Sequence, residues 1–440
     1  MSDTQALLPA LRHALWPAPD RTLLLRACLG READAWPAWE AWRAGVASAR
    51  LNSEGPATLA AGEVSGLGDT TLGRKSLGPV GRRLADRQSG ARRLVPMLYR
   101  SARRNGFALE PEVLTHLRTA TLYEGLRSRT YRRICRPALA ALAALALEAV
   151  PGDANIPALT LKGAGLAATV YERWSLRHCH DLDLLAAEAA VPQVAAALAS
   201  AGFAAVSPAT VGVSLAFKHA SGLPALVHTT LFEIPYYRPP LASVWADGHP
   251  AWIAGAPVRV LAPAHALVHV IGHAACSRGR ETLQWAADAC ALIEGAPHLD
   301  WVVVESFARE GRMALPLAVM LDYLATELGA AVPDGLVERL TATAGEEPAA
   351  LDAALAGARA GSRAAARDLL GLTPGWLPRL RLAGRLAYPS PEYRGLSRRL
   401  KRTGQLLWRH ARRGLSHAAR HVRAWLGRAD RASASSTRTL

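Results

Sequence analysis

The chain has 440 residues, 50% hydrophobic and 20% charged, and carries a formal net charge of +16. Such a length can bury cores in roughly two or three domains, and this balance excludes a disordered chain. Leu and Ala dominate while aromatics and β-branched runs are few, which favours helices; the scattered cysteines (Cys28, Cys135, Cys179, Cys276, Cys290) suit reduced thiols rather than a disulfide framework.

Residues 1–49 are rich in Leu, Ala and Trp and read as an N-terminal helical region of two helices interrupted by Pro17 and Pro19. Residues 50–90 differ. Seven glycines lie between Gly55 and Gly81 and no period is evident, so the segment reads as a flexible Gly-rich insertion. Helical periodicity returns over 91–156, with Leu94, Met97 and Leu98, then Leu114, Leu117, Leu122 and Leu126 at helical steps. The longest apolar run, 137–150, is interrupted by Glu148 and falls short of the roughly 20 residues that cross a bilayer. With no basic–apolar–cleavage pattern at its start, the chain reads as cytoplasmic and without a transmembrane segment.

Residues 157–263 read as a mixed α/β core, with strands at 158–162, 181–186, 213–219, 225–232 and 257–261 and a helix over 190–201. Residues 264–393 read as a C-terminal helical domain, with a break near Gly295 and Pro297. The last part, 394–440, holds thirteen Lys/Arg against one acid, Asp430, so +12 of the net +16 belongs to it. Within it Leu400, Gly404, Leu407, Ala411 and Leu415 begin an apolar stripe opposite Arg402, Arg409, Arg413 and Arg420. Such a basic amphipathic helix over 394–431, followed by a disordered tail, suits an anionic membrane surface, nucleic acid or an acidic partner, or packs on its own domain.

The chemistry concentrates in residues 161–185, LKGAGLAATVYERWSLRHCHDLDLL. On a strand, Asp181 and Asp183 share a face one pleat apart. Two carboxylates so placed repel unless a cation sits between them, and Mg²⁺ (or Mn²⁺) on nucleotide phosphates is the usual one. The pair therefore points to metal-dependent phosphoryl or nucleotidyl transfer, with Asp181 and Asp183 as metal ligands. Lys162, Gly163 and Gly165 stand where a strand hands over to a helix, a place whose backbone N–H groups bind anions and where glycine permits close approach. They read as nucleotide-binding, Lys162 adding a point charge on a phosphate. The segment is not a P-loop, because G-x-x-x-x-G-K-[ST] is absent. Arg173 and Arg177 precede the carboxylates and suit either a triphosphate or the surface. His178-Cys179-His180 has no second pair at zinc-ligand spacing. His269 and His273 have helical i, i+4 spacing, but Val270 occupies the place of a metalloprotease Glu; they read as packing residues or as lining of the active-site cleft.

On these residues the chain resembles the uncharacterised nucleotidyltransferase family of the DNA polymerase β superfamily. That family's pattern runs L-K-G-A-A-L, a short Arg-containing turn, then D-[IL]-D-L-L. Here the elements are residues 161–166, Leu176-Arg177 and residues 181–185, followed by Leu226-Val227-His228, then His269 and His273, then Trp285 with Asp288. The similarity runs from about residue 23 to residue 340, with 50–90 as an insertion. The resemblance implies an α+β fold, a small mixed β-sheet nucleotidyltransferase core flanked by N- and C-terminal helical regions. It also implies transfer of a nucleoside monophosphate from an NTP donor to an unknown acceptor hydroxyl or phosphate. Asp181 and Asp183 would hold Mg²⁺ or Mn²⁺, while Lys162, Gly163, Gly165 and Arg177 would bind the nucleotide. The chain departs from the pattern at Leu226, where the family has the acid that serves as third carboxylate and base. His228 then becomes the expected base, with Glu233 further along. Two alternatives accompany this reading: a catalytically degenerate relative that binds nucleotide or a partner, and an interaction protein docking on membrane or nucleic acid through the basic C-terminal helix.

Overall fold

Proline and glycine set the first boundaries in the computed structural model. Helix α1 (Asp3–Leu15) stops before Pro17, and α2 (Pro19–Leu29) starts on Pro19, whose missing N–H would be unpaired in a first turn anyway. Gly30 then separates α2 from α3 (Glu32–Leu51), so the two helices expected over 5–45 are three. Helix α4 (Pro79–Ala85) occupies the end of the segment read as an insertion, and α5 (Val95–Arg104) and the long α6 (Pro111–Leu147) follow. The structure describes residues 3–30, 32–51, 79–85, 91–147, 158–206, 214–232, 237–276, 283–296 and 299–344, with isolated positions 370, 376, 379 and 380. Most of the Gly-rich segment, Glu233, and the basic helix and tail expected over 394–440 lie outside the described residues.

The sheet is assembled from β1 (Ala158–Thr160), β2 (Leu182–Ala186), β3 (Phe203–Ala205), β4 (Ser214–His219), β5 (Pro224–His228), β6 (His249–Ile253) and β7 (Ala256–Val260). Among the described residues it has seven strands in the order β3-β4-β5-β2-β1-β7-β6. The pairing is mixed: β2 runs antiparallel to β1 and parallel to β5, while β1 runs parallel to β7. The fold is therefore α+β, as expected. Helices α7 (Lys162–Thr169), α8 (Val191–Ser200) and α9 (Leu241–Ala246) lie among the strands.

Two of these strands were not legible in the sequence. β3 is three residues long, and β6 contains Pro250, which only an edge strand tolerates. The β6–β7 turn is carried by Ala254 and Gly255 at φ +56° and +81°, the positive-φ pair that two-residue hairpins require. β2 also begins one residue later than expected. Its first pair is Leu182↔Ala225, because β5 opens on Pro224, which has no N–H to add to the ladder. Asp181 thus sits in the bend before the strand rather than on it.

Alternation along the central strands divides the sheet into two faces. Leu182, Leu184, Ala225 and Val227 enter the apolar core with Tyr131, Cys135, Leu139 and Leu142 of α6 and Val194 and Leu198 of α8. Asp183, Leu226 and His228 take the opposite face, where His228 meets α10 (Pro263–Cys276); α11 (Gln284–Gly295), α12 (Trp301–Glu310), α13 (Ala314–Leu328) and α14 (Leu336–Ala342) complete the C-terminal helices among the described residues. The N-terminal helices dock on α13: Arg12 pairs with Asp322 at 2.7 Å, the Trp16 indole donates to the Val319 carbonyl, and Arg26 reaches Glu327. Among the described residues no helix is long and apolar enough to cross a membrane.

Candidate functional site

Strand β1 ends in a strained step. Lys162, the first residue of α7, has φ +46°, a left-handed conformation that costs a residue with a Cβ about 1–2 kcal/mol. Such strain persists where surrounding packing imposes it. Three residues on, Gly165 lies so close to β1 that a Cβ there would meet the Thr160 carbonyl oxygen at 2.9 Å. Gly163 and Gly165 are both buried. The second glycine's visible duty is thus to seat the helix on the strand, which carries the Lys162 side chain to Asp183, Nζ to Oδ2 at 3.5 Å.

The turn between α7 and β2 is held from two sides. Arg177 donates through Nε to Asp288 of α11 at 2.7 Å, and the Tyr171 hydroxyl donates to the same carboxylate oxygen at 2.6 Å. The Arg177 guanidinium, 9% exposed, is thus engaged by an acid rather than open to a phosphate. From α6, Arg127 donates to the Cys179 carbonyl and, at 3.1 Å, to His178 Nε2. Arg has no acceptor, so His178 Nε2 is the bare nitrogen and its Nδ1–H donates to Glu124 at 3.0 Å. Burial pushes the His178 pKa down to about 3, against the pull of Glu124, which keeps the ring neutral. The Tyr131 hydroxyl donates to the Asp181 carbonyl at 2.9 Å and fixes the last residue before β2.

This frame presents the two carboxylates. Asp183 is buried, with Oδ2 facing Lys162 and Oδ1 facing His228 Nε2 at 2.9 Å. Burial opposes its ionisation, but Lys162 and His228 outweigh burial and hold its carboxyl well below the usual range. A carboxylate only accepts, so His228 Nε2 carries the proton of that bond. Asp181, 18% exposed, has no cation of its own at that distance among the described ion pairs; its neighbour is His180 at 3.4 Å. Burial and then the charge on Asp183 push it up to about 6. The register sets Leu226 directly beside Asp183 on the same face, and His228 beside Leu185. The position where the third acid was expected is therefore occupied by a buried leucine.

Helix α10 closes the site. Gly272 lets it approach the 230–232 segment, since a Cβ there would fall 2.5 Å from the Phe232 ring. A narrow pocket remains, lined by Lys162, His228, Thr230, Phe232, His269 and His273. The structure so unites the Lys-Gly step, Asp183, His228 and the two α10 histidines. His269 is 1% exposed, and neither of its ring nitrogens has a hydrogen-bond partner among the described residues. Burial first, then Lys162, pushes its pKa down to about 3, so it is neutral. Asp288 and Tyr131 were missed as site residues, because their partners Arg177 and Asp181 lie 111 and 50 residues away. Among the described residues, no three His, Cys, Asp or Glu side chains are grouped so as to hold a metal ion alone.

The sequence profile of a family described as "Uncharacterised nucleotidyltransferase" matches residues 83–329, more than half of the chain, and spans the whole of this site. No curated protein matches the chain.

Proposed function

Because the chain belongs to the uncharacterised nucleotidyltransferase family, we propose that this site binds an NTP with a divalent cation. It then moves the nucleoside monophosphate to an acceptor hydroxyl or phosphate. The observation that carries this reading is the carboxylate pair: Asp183 held by Lys162 and hydrogen-bonded by His228, and Asp181 beside it, which burial and the charge on Asp183 push up to about 6 although Lys162 pulls the other way.

Mg²⁺ or Mn²⁺ fits that donor set. These are hard cations that take one or two protein carboxylates and complete their shell with substrate phosphates and water. A pair of acids with no third metal-binding side chain grouped beside them among the described residues is suited to a cation that arrives with its nucleotide. Asp181 and Asp183 would hold it, and when bound it supplies charge neutralisation on the phosphates. Lys162 exchanges its contact with Asp183 for a phosphate oxygen. The acceptor oxygen attacks the α-phosphorus, the bond from that phosphorus to the bridging oxygen breaks, and pyrophosphate leaves with the bonding electrons. The acceptor's proton goes to His228 Nδ1, the ring nitrogen not donated to Asp183, and Asp183 steadies the resulting imidazolium. Gly163, where a Cβ would meet Cys179 Sγ at 3.4 Å and Arg177 Nη1 at 3.5 Å, lets the start of α7 pack against the turn before β2. Arg177 acts through the turn it ties to Asp288. The two ring nitrogens of His269, unpartnered among the described residues, support a polar ligand in the pocket, since buried polar groups are ordinarily paired.

Leu226 favours a second reading, in which the site binds nucleotide without turnover. The basic segment 394–431 is a proposed further contact with an anionic surface or acidic partner, compatible with both. Transfer of label from α-³²P NTPs to components of a cell extract separates the two. Transfer by the wild type that is lost in Asp183→Asn supports the enzyme. Nucleotide binding with no transfer, and transfer gained in Leu226→Asp, supports the degenerate site.

A further inference from the structure

A second charged site lies along α6, away from the pocket just described and sharing no lining residue with it. Arg129, Arg132, Arg133 and Arg136 line a groove of about 470 Å³ with Trp174 and Trp252. Their spacing (i, i+3, i+4, i+7) puts the four guanidinium groups on one side of the helix over roughly 10 Å of its axis. Among the described residues none of the four has a carboxylate within 4.0 Å; Arg129 donates only to the Gly125 carbonyl, at 3.5 Å. Arg132 lies over the Trp174 ring at 5.3 Å, and its Nε is buried without a hydrogen-bond partner. Across the groove the tight Ala254-Gly255 turn projects from the sheet edge, and Trp252 beside it is 69% exposed.

A large exposed aromatic beside a row of arginines that no acid answers is a surface suited to a ligand both anionic and planar. Four guanidinium groups call for a polyanion, and a row of roughly 10 Å is longer than one phosphate. The concave shape does not match a flat headgroup surface. An acidic peptide would satisfy the arginines but offer no planar partner to the indoles. Phosphates joined to planar bases satisfy both, the combination by which proteins hold single strands. We propose that this groove binds single-stranded nucleic acid, with the α6 arginines on successive phosphates and Trp252 stacked on a base.

The test measures fluorescence anisotropy of a fluorescein-labelled 15-mer oligouridylate with the full chain over a salt series. Wild type, Trp252→Ala and the double variant Arg133→Ala/Arg136→Ala are compared. These side chains are exposed, so all three proteins should melt together, and melting curves check this. Loss of one stacking partner should weaken binding about fivefold or more. Loss of two phosphate contacts should flatten the log K against log salt slope by about 1.4. A 4-thiouridine version of the oligomer should crosslink to peptides containing Trp174 or Trp252. Absence of binding would overturn the proposal. So would affinity unchanged in both variants with crosslinks confined to 394–440, which would give the binding to the basic tail. Equal affinity for a 15-residue oligoglutamate, indifferent to Trp252→Ala, would also overturn it, in favour of an unselective anion surface.

Discussion

The pocket around Asp183 and the groove along α6 both gather cationic and aromatic side chains, yet they manage charge in opposite ways. In the pocket, the protein supplies its own counterions: Lys162 for Asp183, Asp288 for Arg177 and Arg127 for Glu124. In the groove, three exposed arginines and the half-buried Arg132 have no acid among the described residues to answer them. Buried charge must be compensated during folding or it opposes folding. Exposed charge is screened by water and can wait for a ligand. The difference teaches where function and stability are tied. Substitutions in the pocket should move the folding equilibrium, whereas those in the groove should move only binding.

The largest contrast is expected at Asp288. Asp288→Ala leaves Arg177 charged and buried, and breaking one side of such a pair costs about 3–5 kcal/mol. A urea midpoint close to that of the wild type would show that the ion pair is not what anchors the turn. Gly165→Ala comes next. Its new Cβ would press on the Thr160 carbonyl oxygen, and overpacking against backbone costs about 1–3 kcal/mol, partly offset by the better helix propensity of Ala. A raised melting temperature would refute the close-approach role.

Asp181 should show the opposite sign. Its carboxyl is pushed up to about 6 in the folded protein, from an ordinary 3.8. Between those values the folded state holds a proton that the unfolded chain releases, so stability falls as pH rises through about 4 to 6. Asp181→Asn removes that loss. The variant should gain up to about 3 kcal/mol over the wild type at pH 7 and nothing below pH 4. Chemical denaturation at both pH values checks it, and an equal gain at pH 4 would exclude titration as the cause. The smallest effect belongs to the groove: Arg133→Ala should change stability by no more than about 0.5 kcal/mol. A larger loss would mean that α6 uses this arginine for its own packing.

Local chemistry carries far along this sequence, and tertiary pairing does not. The Asp-x-Asp strand, the Lys-Gly step and the helix after β2 are legible because each depends on residues a few positions apart. The same holds for the position of Leu226, one pleat from His228 on a short apolar strand. The late start of β2 was hidden because it is decided by Pro224 on another strand. Arg177 looked like a phosphate ligand because nothing near it in sequence reveals Asp288. That His269 and His273 share a pocket with His228 is settled only when α10 folds over the sheet. The arginine row of α6 is visible at helical spacing, but its meaning depends on Trp174 and Trp252, brought to it by the turn before β2 and by an edge hairpin.

The central claim is that Asp181 and Asp183 take up a cation together with a nucleotide. A thermal-shift panel of the four NTPs, each with Mg²⁺, with Mn²⁺ and with neither, on wild type and Asp183→Ala tests it directly. A ligand at 100 times its dissociation constant adds about 2.7 kcal/mol to the native state. The account predicts a rise in melting temperature that needs both nucleotide and cation and disappears in a folded Asp183→Ala protein. A nucleotide shift that persists without metal, or that survives in the variant, would contradict it.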